Sequence, residues 1–315
     1  MIGVWARYSP FDFSNINKDV PTKQKPKGSF LRGNVPMNTP RIMFNKAMIP
    51  SNQSCLHYND RSFMLGHGLF ETILVKHGVA PALDYHWKRL EKSAGIVGIT
   101  LPFSYEELAR MIDELISDNA LKHTLASARL TVSSGDSLRG LVPSGALTPN
   151  VILSVFEHAP NSGPWSAKIV SIKKNEHAPS SRLKSTSYID NIFAKQEALN
   201  LGYDEAVLLN TQANVADGAV SNIFMIKDSR VITPPVSDGA LPGIIRSILL
   251  EELAGLFSIT EKTIPLAELM MADEIFLTNA LMGVQSLCRL NKKVFNRFCL
   301  TREIADTLRD KKNYI

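Results

Sequence analysis

The chain is poor in cysteine: Cys55, Cys288 and Cys299 are the only three in 315 residues, and none are paired as CxxC. That is too few for a disulfide framework and the wrong spacing for structural zinc, so a reduced, cytoplasmic compartment is expected. No stretch approaches the ~18 uninterrupted apolar residues of a membrane span, so no membrane partner is expected. Also missing are GxGxxG after a strand, a P-loop, HExxH and GxSxG. Dinucleotide, nucleotide-triphosphate, zincin and serine-hydrolase readings therefore lack support. The seven histidines do not pair with carboxylates at metal-ligand spacing, and no metal is expected. What remains is ordinary globular composition, 44% hydrophobic and 21% charged, which argues against a disordered chain or a coiled coil.

The net charge of +5 is confined to one end. Residues 1–41 carry Arg7, Lys18, Lys23, Lys25, Lys27, Arg32 and Arg41 against Asp12 and Asp19, which accounts for all of it. The body is neutral, so nucleic acid is not expected as a partner. With five prolines and no periodicity, residues 1–40 read as an irregular basic extension. A transit peptide is the alternative, against which Asp12, Asp19 and the lack of an Arg-rich amphipathic helix count.

The body mixes strands and helices. Arg41–Asn45, Phe70–Val75, Leu125–Val132 and Val151–Phe156 have strand character. Leu83–Val97 has a helical apolar stripe, and Ser-Tyr-Glu-Glu at 104–107 approaches a capping box. The breaker cluster HAPNSGP then divides a small α+β domain, residues 41–160, from a β-rich domain, residues 161–315. The second half predicts a strand at Ala167–Ile172, a helix at Tyr188–Asn200, four short strands between 205 and 233, a helix from Gly243 to about Gly255, and late strands at Asp273–Thr278 and Val284–Leu290. Helices are too few for a doubly wound array, so the expected class is α+β.

Three places have chemical potential. Lys184 lies in RLKSTSYID, among small polar residues at the mouth of a helix. At pH 7 only about 0.04% of a lysine with pKa ≈ 10.4 is neutral, so a nucleophilic lysine needs burial or nearby cations. Asp217 lies in VADGAVSNIF and by itself reads as a turn former. In LPGIIR, Pro242 and Gly243 precede a helix whose first N–H groups can bind an anion.

Taken together, the segments resemble the class IV aminotransferases, the fold-type IV pyridoxal-phosphate enzymes. DRSFMLGHGLFETILV, HWKRLEKSA, LKSTSYIDNIFAKQEA, GYDEAVLLN, VADGAVSNIF, ITPP, LPGIIR and ADEIFLTNALMGV follow the family's order and spacing from about Arg41 onward. The resemblance implies a two-domain fold like that of D-amino-acid aminotransferase, a homodimer, a small-molecule substrate and pyridoxal 5′-phosphate as cofactor. It implies that Lys184 binds the cofactor covalently and then moves protons at the substrate carbon. Arg89, the backbone N–H groups of Ile244 and Ile245, and nearby Thr278 and Asn279 would hold the phosphate. Asp217 would face the pyridine nitrogen, and Tyr188 the phenolic oxygen. Four positions depart from the family: Asp217 replaces a glutamate and is shorter by ~1.5 Å, Ile245 replaces the threonine of GIT, Ser134 replaces the arginine of VTRG, and His67 stands in the middle of a usual GDG.

Members of the family transaminate branched-chain or D-amino acids, or split 4-amino-4-deoxychorismate. LTNALMGV, Ser134 and Thr72 favour the lyase, with the Thr72 hydroxyl as proton donor to the departing enolpyruvyl group. The AKQEA helix resembles the D-amino-acid enzymes instead, so a transaminase is the alternative. Arg139, in SGDSLRGLVPSG, is the candidate for a substrate carboxylate, in its own subunit or its partner's, with an ordinary loop arginine as the plain alternative.

Overall fold

A computed structural model describes residues 39–315 apart from Ser54, Ser144, Asn161, Ser162, Lys312, Asn313 and Ile315. The expectation of an irregular leader lies outside the described residues. In the body, the strands β1 (Arg41–Phe44), β2 (Ala47–Pro50), β3 (Gly68–Lys76), β4 (Leu125–Ser133) and β5 (Asn150–Glu157) form an antiparallel sheet in the order β2-β1-β5-β4-β3. The short helix α1 (Arg61–Leu65) precedes β3, and α2 (Leu83–Val97) and α3 (Tyr105–Asp118) follow it. Leu83, Leu90 and Ala94 of α2 lie in one apolar cluster with Leu69, Ile73 and Val75 of β3. Ser104 caps α3 in a complete capping box with Glu107.

From residue 165 onward a nine-stranded sheet takes over. Its elements are β6 (Trp165–Lys174), α4 (Ile189–Asn200), β7 (Glu205–Asn210), β8 (Val215–Gly218), β9 (Asn222–Lys227), β10 (Arg230–Thr233), α5 (Ile244–Ile248), β11 (Ile259–Glu261), α6 (Leu266–Leu269), β12 (Glu274–Asn279), β13 (Gly283–Leu290), β14 (Lys293–Val294) and α7 (Cys299–Asp310). The order is β11-β10-β9-β12-β13-β6-β7-β8, with β14 beside β13. Phe224 and Phe276 stack face to face across β9 and β12, with ring centroids 4.7 Å apart.

The helix expected to run from Gly243 to about Gly255 is broken: α5 ends at Ile248 and continues as a π-helical turn, Leu249–Leu253. That wider turn keeps Leu249 and Leu253 in the same cluster as Ile244, Ile245 and Ile248. Helix α7, which the sequence reading did not foresee, buries Ile304 and Leu308 in that cluster too. Among the described residues no helix is long and apolar enough to cross a membrane.

The two sheets are joined at the lysine segment. The Phe70 N–H donates to the Lys184 carbonyl at 2.8 Å, and the Thr186 N–H to the Gly68 carbonyl at 2.9 Å. Residues 184–186 thereby extend the free edge of β3, which fixes Lys184 against one sheet while α4, following it, packs on the other.

Candidate active site

A cleft of about 540 Å³ opens at this junction. Phe70 and Thr72 reach it from β3, because alternate residues of a strand share a face. Lys184, Tyr188, Asp217, Ile244 and Thr278 meet there as well. Residues far apart in sequence thus line one cavity.

The Lys184 ammonium lies 4.4 Å from the Phe70 ring centroid and 5.5 Å from that of Tyr188. Burial, then the Arg89 and Arg129 cations, lowers its pKa to about 8, against the opposing pull of Glu71 and Asp217. Burial, and next the Asp217 charge, raises the Tyr188 phenol to about 12. Asp217 is itself buried. Its oxygens accept from Asn222 Nδ2 at 3.0 Å and from the Leu241 N–H at 2.8 Å. Desolvation still raises it to about 6, although Lys174, the Leu241 N–H, Arg246 and Asn222 all favour the anion.

Asn222 also donates to the Leu241 carbonyl at 2.8 Å, so one amide ties Asp217 to the LPGIIR turn. The approach is close: a Cβ on Gly243 would stand 1.8 Å from Asn222 Oδ1, and only glycine fits. Gly243 begins α5 with no side-chain cap, leaving the first N–H groups of the helix free of intrahelical partners. Beside them Thr278 is fully buried, and its Oγ1 has no hydrogen-bond partner. An uncapped helix start beside an orphan hydroxyl suits an anionic oxygen.

Not every expected residue is placed alike. Ile245 does not line the cleft, and its side chain sits in the apolar cluster around α5. Asn279 lines the cleft: Oδ1 accepts from the Leu281 and Met282 N–H groups, and one of the two Nδ2 N–H groups donates to the Val220 carbonyl. Arg139 is exposed and lies outside the cleft of its own chain.

Other groups escaped the sequence reading. Arg129 stands opposite Thr72 in the β3–β4 register and lines the cleft, its guanidinium 3.9 Å from the Phe70 ring centroid. The only trace of it in sequence is a charge inside the apolar alternation of LASARLTV. Arg89 is bound to Glu71, itself paired with His86. His67 acquires a role as well: Arg61 Nε donates to its Nδ1 at 3.2 Å, and its Nε2 meets the Val97 carbonyl at 3.0 Å. Arg61 also donates to the carbonyls of Gly140 and Leu141, so the pair anchors the loop that carries Arg139.

The fold is that of a fold-type IV enzyme, and comparison with known proteins agrees. The family model for class IV amino-transferases matches residues 68–290. Aminodeoxychorismate lyase of Bacillus subtilis strain 168 is 31% identical over 246 residues, 77% of this chain and 84% of that one. D-alanine aminotransferase of Bacillus licheniformis is 29% identical over 242 residues, 76% of this chain and 84% of that one. The structure of the branched-chain aminotransferase from Thermoproteus uzoniensis with norvaline superposes with a TM-score of 0.81 at 26% identity, over 88% of this chain and 95% of that one. The chain is a member of the class IV aminotransferase family.

Proposed function

We propose that this enzyme uses pyridoxal 5′-phosphate to split 4-amino-4-deoxychorismate into 4-aminobenzoate and pyruvate. The residues of the cleft fit that cofactor. The free N–H groups at the start of α5, the orphan Thr278 hydroxyl and the Arg89 guanidinium would form the phosphate cup, and Lys184, Tyr188 and Asp217 lie in the same cavity. When bound, the cofactor supplies an electron sink for the substrate carbon that loses a proton. Lys184 Nζ takes that proton. The Asp217 carboxylate would keep the pyridine nitrogen protonated, and Tyr188 Oη would donate to the phenolic oxygen.

The observation that carries the lyase reading is the pairing of Thr72 with Arg129 across one wall of the cleft. Elimination asks for an acid at the departing enolpyruvyl oxygen and a cation for its carboxylate; a hydroxyl and a guanidinium stand there together. The Bacillus subtilis lyase is the relative that supports it. The transaminase reading draws on the D-alanine aminotransferase relative and on the AKQEA segment of α4.

The purified protein, given aminodeoxychorismate and no keto acid, should release 4-aminobenzoate and pyruvate in equal amounts, because aromatisation drives the step. Turnover of D-alanine or leucine that requires 2-oxoglutarate, with no action on aminodeoxychorismate, would establish the transaminase instead. A second expectation concerns pH. Covalent uptake would need Lys184 in its neutral form, so pyridoxal phosphate uptake by cofactor-free protein should accelerate as pH rises through about 8. An uptake midpoint near the ordinary lysine value of about 10.4 would contradict the lowered pKa.

We place the enzyme in the cytoplasm, on its three free cysteines, and as a homodimer. Exposed Phe63 and Met64 of α1, with Leu138, Leu141 and Val142 of the loop that Arg61 anchors, support a second copy covering this face. Arg139 would then serve the partner's cleft.

A further inference from the structure

A buried anion behind the cleft takes no part in the reaction as proposed. Phe70 and Thr72 face the cleft, so the alternation of β3 turns Glu71 to the other side, toward α2. There it is 2% exposed. Arg89 grips it with both ends of its fork, Nε donating to Oε1 at 2.8 Å and Nη2 to Oε2. His86, three residues before Arg89 and on the same face of α2, brings Nδ1 to 2.6 Å from Oε2. Arg89 Nη1 donates to the Pro242 carbonyl at 3.1 Å, just before the α5 turn.

The protonation states follow from the surroundings. Burial alone would raise the Glu71 carboxyl, but the Arg89 charge and the His86 hydrogen bond outweigh it and hold it at about 2. Burial pushes His86 down, so it is neutral and donates its Nδ1–H. A guanidinium has five N–H groups. Three are committed to Glu71 and Pro242. One on each terminal nitrogen is left, on a side chain that lines the cleft beside Gly243 and Ile244.

We propose that Glu71 is a positioning residue for the cofactor phosphate: it locks the Arg89 fork, and His86 locks Glu71, so that the two remaining N–H groups are aimed at the phosphate cup. The inference rests on the cofactor reading above. A glutamine cannot replace the carboxylate, since its amide has one acceptor and would set an N–H against an N–H of the fork. A loosened guanidinium loses bidentate geometry, not charge.

The test compares two ligands that differ only in the phosphate. In Glu71→Gln, affinity for pyridoxal phosphate should fall by about tenfold or more, while affinity for pyridoxal, which has no phosphate, should change less than about twofold. In an Arg89→Lys background, Glu71→Gln should add almost nothing to the loss. Should Glu71→Gln not accumulate as folded protein, His86→Asn carries the same comparison, with a loss of about threefold confined to the phosphorylated ligand. Equal losses for both ligands would show a general packing role and overturn the proposal. Unchanged or tighter binding of pyridoxal phosphate would overturn it too, since Glu71 would then only be offsetting the Arg89 charge. Wild-type protein that takes up neither ligand would overturn the cofactor reading and this inference with it.

Discussion

Lys184→Ala should lower turnover by about 10³-fold or more, a barrier increase of ~4 kcal/mol, while leaving the cleft able to bind pyridoxal phosphate. On the proposed mechanism two functions would vanish with one amine, the covalent tether and the base that takes the substrate proton. The proposed phosphate cup would be untouched, because it is built from the start of α5, Thr278 and Arg89. The fold should tolerate the change as well, since it is the Lys184 carbonyl, not its side chain, that bonds to the Phe70 N–H of β3. The variant should therefore melt near the wild-type temperature and retain reversible cofactor affinity. Activity within tenfold of wild type would assign the chemistry to another residue.

Asp217→Asn should cost about 10²-fold in rate, ~2.7 kcal/mol of barrier, with the cofactor still bound. The amide has nearly the shape of the carboxylate but no charge to keep the pyridine nitrogen protonated, and it can accept from only one of the two donors, Asn222 Nδ2 and the Leu241 N–H, so a loss of stability should accompany the loss of rate. The native residue should also show in the pH profile. Its carboxyl is raised to about 6, chiefly by burial, so it is an anion above that pH and gains a proton below it. Activity of the wild type on substrate should accordingly fall as pH drops through about 6, and that acid limb should be missing in Asp217→Asn. A variant with wild-type rate would reduce Asp217 to a brace for Asn222 and Leu241.

Much of the fold was legible because it is written locally. The capping box at Ser104, the stripe of α2 and the apolar runs of β4 and β5 each specify their own element. The π-helical turn after α5 was not legible, since an apolar segment such as IIRSILLEELAG has the same composition with or without the extra residue per turn. Helix α7 lies beyond the last family segment, and only its apolar residues at 304 and 308, one turn apart, mark it in the sequence.

The site divides along the same line. Lys184, Asp217 and the LPGIIR turn were legible through the collinear segments that resemble the class IV aminotransferases, since by itself Asp217 reads as a turn former and LPGIIR as a plain helix start. Arg129 did not, because its place opposite Thr72 depends on strand register between segments nearly sixty residues apart. Glu71 and His86 were in plain view inside FET and HWKRL, yet only the packing of α2 on β3 shows that they hold Arg89. His67 was opaque until Arg61 and Val97 were seen on either side of it.

The central claim is that this cleft holds pyridoxal phosphate on Lys184. It is tested most directly by reducing the cofactor-loaded protein with borohydride, digesting it and mapping the modified lysine by mass spectrometry. A single phosphopyridoxyl group, on the peptide containing Lys184, is the expected result. Label on another lysine, or none after saturation with cofactor, would contradict it.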